Sequence, residues 1–182
     1  MIHVSWQKPP DGQFKLNVDG SFEPKTTNGG TRGILGNHLG DWIAGFACKI
    51  KVENAYHAEL LTLLHGLTLA KEKNFKHIMV ETDSQVLLNS LNNDSSQYSH
   101  ICADCRSLLQ QLGAPPLKHV PREANGTANA LAEYGKKSRD QIMIGNKLYI
   151  FYASPSCITY ELDRDANGTG SLRSVPLCMD VP

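Results

Sequence analysis

The sequence predicts a mixed α/β layer fold, a meander of antiparallel strands extended by parallel strands through helical crossovers, in the order β-β-β-α-β-α-β-α. Three observations predict it. From Phe14 to Ser21, the apolar Phe14, Leu16 and Val18 alternate with Lys15, Asn17 and Asp19, the period of a half-buried strand. Two more strand-like runs follow across short glycine-containing turns. The period then changes to three and four between Ala55 and Asn74, after which short apolar runs and helical segments alternate.

Each element has its own justification. Residues 1–12 read as an arm, with Trp6 as an aromatic anchor and Pro9-Pro10 keeping the chain extended. The first strand leads into Asp19-Gly20-Ser21, which reads either as a site or as an ordinary turn out of a sheet. Beyond the turn at EPKTTNGGT, Gly33 to Gly36 reads as a second strand. A hairpin at Asn37–Asp41 leads to a third, Trp42 to Ile50. Helix formers fill Ala55 to Asn74, and Leu60, Leu63, Leu64, Leu67 and Ala70 make the core-facing stripe. Gly66 in mid-helix costs about 1 kcal/mol relative to alanine and marks close packing. His77 to Thr82 is a buried strand ending at Asp83-Ser84, which can cap a helix over Gln85–Leu91. A further helix, Tyr98 to Leu112, stops at Gly113 and Pro115-Pro116. Leu117 to Val120 reads as a last core strand, and Asn125 or Thr127 opens a helix through Lys137. The domain spans residues 13–138. Residues 139–182 read as an irregular or partly disordered extension with one or two strand-like runs.

Bulk properties narrow the function classes. A chain of 182 residues, 41% hydrophobic and 20% charged, supports one domain with a solid core. Eighteen basic and eighteen acidic residues cancel, so any nucleic-acid contact must be local. No apolar run is long enough to span a membrane, and the N-terminus lacks the form of a secretory signal. Five scattered cysteines fit reduced thiols, and the expected location is the nucleus or cytoplasm. Cys102 and Cys105 form a lone CxxC inside a helix, without the second pair that zinc sites use. Asp163-Arg164-Asp165-Ala166-Asn167-Gly168 opens like a calcium loop, but Ser174 stands where that loop needs glutamate, so it reads as a polar turn.

Chemistry gathers on acids. Asp19 ends the first strand, Glu59 lies on the first helix and Asp83 ends the fourth strand. If the first and fourth strands lie side by side, their carboxyl ends share the crevice where the chain reverses direction. Three acids with no obvious basic partner repel one another unless they surround cations, and an all-oxygen set selects Mg²⁺ or Mn²⁺. Separations beyond about 8 Å, or a lysine or arginine neutralising the trio, would count against that reading.

Four ordered motifs, NVDGS, HAELLTLLHGL, ETDSQ and HVPREANGTANALAEYG, together with the opening W-x-x-P-P, resemble type 1 ribonuclease H. The likeness covers residues 6–138 and is closest to the reverse-transcriptase-like ribonuclease H domains of plant genomes. It implies a ribonuclease H-like fold, a five-stranded mixed sheet flanked by helices. The implied activity is cleavage of the RNA strand of RNA–DNA hybrids with two Mg²⁺ or Mn²⁺ ions, by a monomeric protein. Asp19, Glu59 and Asp83 match three of the family's catalytic, metal-ligating acids. The fourth belongs to A-D-x-L-A, which here reads Ala128-Asn129-Ala130-Leu131-Ala132. Asn129 keeps one oxygen ligand but brings no charge, implying a weaker second metal site and slower turnover, or a domain that has lost catalysis and serves as a binding module. Gly20, Ser21, Ser84 and Gln85 match substrate-facing positions, although Ser84 also reads as a helix cap. In the short loop Pro121–Asn125, Arg122 and Glu123 are candidates to assist or are simply solvated. Between Ser84 and Gly113 the only Lys or Arg is Arg106, so weak, salt-sensitive binding is expected. Lys136, Lys137 and Arg139 suit phosphates or a helix C-terminus equally. His57 and His119 lack a nucleophile beside them. Glu81 shares strand parity with Asp83 and reads as a paired or edge-exposed acid.

Overall fold

The computed structural model describes residues 6–91, 97–125 and 149–151. The expected helix after Asn125, Asn129, the basic residues at 136–139 and the calcium-like sequence lie outside the described residues. Strands β1 (Phe14–Glu23), β2 (Asn28–Asn37) and β3 (Trp42–Lys51) form the antiparallel meander, followed by helix α1 (Ala55–Glu72) and strand β4 (Ile78–Thr82). Helices α2 (Gln85–Leu91) and α3 (Ser99–Gln111) then carry the chain to β5 (Leu117–His119), a 3₁₀ turn at Arg122–Asn125, and β6 (Tyr149–Phe151). The strand order is β5-β4-β1-β2-β3-β6. Strands β1 and β4 are parallel neighbours, as are β4 and β5. The five expected strands are joined by β6, which pairs antiparallel with Gly45–Ala47 of β3.

Helix α1 covers one face of the sheet. Asn54 caps it by accepting from the His57 N–H at 2.8 Å. Leu60, Leu63, Leu67 and Ala70 are buried against Leu16, Val18, Phe46 and Val80. A Cβ on Gly66 would sit 3.0 Å from Leu16 and 3.1 Å from Val18, so the glycine permits the close approach that its sequence position suggested. Cys102 and Cys105 lie one helical turn apart on the buried face of α3. The Cys105 thiol points at the Leu60 carbonyl, and burial pushes its pKa up to about 12, so the pair is core packing.

Strand β1 departs from the half-buried expectation. Lys15, Asn17 and Asp19 are 2%, 4% and 3% exposed, as deeply buried as the apolar face. A polar network closes over them. The Trp6 Nε1–H donates to Asn17 Oδ1 at 2.8 Å, and Asn17 Nδ2 donates to Glu81 Oε2 at 3.1 Å. Lys15 pairs with Glu81 at 2.7 Å, lies over the Trp6 ring and donates to the Gln7 carbonyl. Trp6 thus anchors the arm, and Glu81 is the paired acid expected of it. Leu117–His119 is an edge strand with Lys118 and His119 exposed, where a core strand was expected, because among the described residues nothing pairs beyond β5 in the sheet.

Candidate metal centre

The parallel pairing of β1 with β4 sets Val18 opposite Thr82, so Asp19 and Asp83 follow side by side on adjacent strands. Glu59 arrives from the first turns of α1. Gly20 makes that approach possible: a Cβ there would lie 2.7 Å from the backbone of Ala58 and Glu59. Strand β1 runs on to Glu23, so Asp19-Gly20-Ser21 lies inside the strand instead of ending it or turning out of the sheet. The Gly20 N–H in turn donates to Glu59 Oε2 at 3.1 Å, fixing the carboxylate over the middle of β1. One oxygen from each of Asp19, Glu59 and Asp83 lies within 4.8 Å of the other two, so the three predicted acids do converge. This is the only such group of His, Cys, Asp or Glu among the described residues.

The cluster is electrostatically costly on its own. Burial and the neighbouring carboxylates of Asp19 and Asp83 push Glu59 up to about 8, opposed by the Gly20 N–H and the Arg32 guanidinium. An all-oxygen donor set at this spacing fits a hard divalent cation, which would lift that repulsion. The expectation of no basic partner is overturned, however. The hairpin register sets Arg32 of β2 directly opposite Asp19, and its Nη1 pairs with Asp19 Oδ2 at 3.1 Å. Both side chains are 4% exposed. One of the three acids is therefore already balanced by a buried cation.

The remaining candidates fall around this centre. Ser84 Oγ accepts from the Leu87 N–H at 3.3 Å, the cap predicted for α2. Gln85 is exposed and donates along the helix to Asn89 at 3.1 Å. Ser21 faces Gly30 across the β1–β2 ladder. Arg122 is exposed, its Nε 4.0 Å from Asp83 Oδ2, whereas Glu123 is exposed on the same turn. Arg106 donates to the Leu91 carbonyl at 3.1 Å, a link between helices. His57 stacks on Tyr98, and His119 lies exposed on the edge strand, so neither joins the site.

Comparison with known proteins agrees with this geometry. The profile of the reverse transcriptase-like family matches residues 17–135. The chain belongs to that family. A protein of Arabidopsis thaliana named "Putative ribonuclease H protein" is 33% identical over 134 residues, 72% of this chain. The match spans only 22% of that longer relative. Ribonuclease H1 of Halobacterium salinarum superposes with a TM-score of 0.62 at 24% identity, over 69% of this chain and 98% of its own. A compost-derived ribonuclease H1, solved in complex with an RNA/DNA hybrid, gives 0.57 at 15% identity, over 64% and 91%. The fold of this reverse transcriptase-like domain is therefore ribonuclease H-like.

Two residues near the centre escaped the sequence reading. Arg32 is hidden because the sequence pattern starts the second strand at Gly33, whereas β2 begins at Asn28. Extending the hairpin back to its turn places Asp19 opposite Arg32. Asn125, which reads in the sequence as a helix opener, is 1% exposed and donates to the Val18 carbonyl at 2.9 Å. It ties the 3₁₀ turn carrying Arg122 to the backbone just before Asp19. No local sequence feature announces a contact between residues 107 positions apart.

Proposed function

We propose that this domain is a divalent-metal-dependent endonuclease that cleaves the RNA strand of RNA–DNA hybrids. The observation that carries the reading is the convergence of Asp19, Glu59 and Asp83 within 4.8 Å where the parallel pairing of β1 with β4 ends. The hybrid as substrate rests on family membership and on the hybrid-bound ribonuclease H1 of the same fold. Asp19, Glu59 and Asp83 would hold Mg²⁺ or Mn²⁺, two ions by family likeness, with the Asn129 amide oxygen as a fourth, uncharged donor. When bound, such ions activate water and stabilise charge on the leaving 3′ oxygen.

The chain's own residues supply placement. The Gly20 N–H holds Glu59 in position, and Asn125 holds the turn that presents Arg122 beside Asp83. The exposed Arg122 guanidinium is able to meet a phosphate. Ser84 and Gln85, at the start of α2, are the polar groups suited to the hybrid's minor groove, where 2′-hydroxyls distinguish RNA from DNA.

The test is hydrolysis of a labelled hybrid in Mg²⁺ or Mn²⁺. Asp19→Asn should lower cleavage about a hundredfold or more, and Asn129→Asp should raise it. Cleavage that survives Asp19→Asn would assign the activity to another site or a contaminant. A second reading, an inactive ribonuclease H-like binding module, is favoured by the Arg32–Asp19 ion pair and the uncharged Asn129. An inactive parent that gains activity with Asn129→Asp would support that reading.

A further inference from the structure

Granting the metal centre above, we propose that Arg32 is a built-in counter-charge that competes with divalent ions for Asp19 and holds down the metal affinity of the free protein. Arg32 is on the β2 strand directly opposite Asp19, so the backbone register itself delivers the guanidinium to the carboxylate. The 3.1 Å contact is almost wholly shielded from water, which leaves it little screened by salt. An arginine cannot shed its charge when a second cation arrives, as a histidine or a buried lysine can. A divalent ion reaching Asp19 must therefore share its carboxylate with a fixed positive group or break the ion pair. Either route weakens binding relative to three uncompensated acids.

The experiment measures Mn²⁺ binding to the full chain by titration calorimetry, without nucleic acid. Arg32→Gln keeps a donor for Asp19 but removes the charge, and should bind Mn²⁺ about tenfold more tightly or better. Arg32→Lys retains the charge and should stay closer to the parent. A merely structural role for Arg32 predicts unchanged or weaker binding in Arg32→Gln, and that result overturns the proposal while leaving the metal centre intact. Absence of Mn²⁺ binding in both the parent and Arg32→Gln overturns the metal centre as well. Should Arg32→Gln be unfolded without metal, circular dichroism during the same titration decides. Refolding at Mn²⁺ concentrations that leave the parent unsaturated supports the proposal, and failure to refold overturns it.

Discussion

Glu59 is the side chain whose proton tracks the state of the acid cluster. Its folded-state pKa of about 8 lies above the ordinary value of 4.5. Between those values the folded protein keeps a proton that the unfolded chain has released, so stability falls as pH rises across that window. In chelator, the thermal midpoint should be lower at pH 8 than at about pH 5.5, and Glu59→Gln should remove that part of the slope. Mn²⁺ must displace the same proton, so binding at pH 7 should release close to one proton, read by calorimetry in buffers of different ionisation enthalpy. The acids themselves were legible in the sequence because each lies within a recognisable motif, although Asp19 proves to sit inside β1 and not at its end. Arg32 was not, because its importance lies in cross-strand register, which depends on where a glycine-rich strand begins. Alternation cannot be read through Gly29, Gly30 and Gly33, which have no side chains to alternate.

At the scale of elements, the centre depends on how closely α1 meets β1 at Gly20. Gly20→Ala would place a Cβ 2.7 Å from the backbone of Ala58 and Glu59, a clash that no side-chain rotation relieves. The variant should lose about 1–3 kcal/mol in urea denaturation and bind Mn²⁺ more weakly, as the first turn of α1 is pushed outward. Helix α1 was legible down to its stripe because eighteen residues give the helical period room to declare itself. The three residues of β5 give no such room. A short apolar start, Leu117, looks the same at an edge as in the middle of a sheet. The burial of Lys15 and Asn17 was equally hidden, since polar side chains on alternate positions ordinarily signal a wet face, and the groups that cover them, Trp6 and Gln7 of the preceding arm and Glu81 of β4, lie outside the strand.

Across the whole molecule, that covered face ties the arm, β1 and β4 into one unit. Lys15→Met would leave Glu81 as an uncompensated buried acid and should cost about 3–5 kcal/mol in urea melts. Replacing both Lys15 and Glu81 by methionine should cost less than the single change, because no charge is then stranded. The balance of eighteen basic and eighteen acidic residues leaves no strong overall field to draw in nucleic acid, so in the proposed function recognition would fall to the groups around Asp83 and the start of α2. Strand β6 has a practical bearing on how the protein can be cut. Its three residues satisfy the outer backbone of β3 from Gly45 to Ala47, yet they come from well past the last family motif. A fragment trimmed at residue 138 would keep every acid and lose this cover, presenting a bare strand rim to other copies. Such a fragment should self-associate with rising concentration in sedimentation experiments, where the full chain does so less.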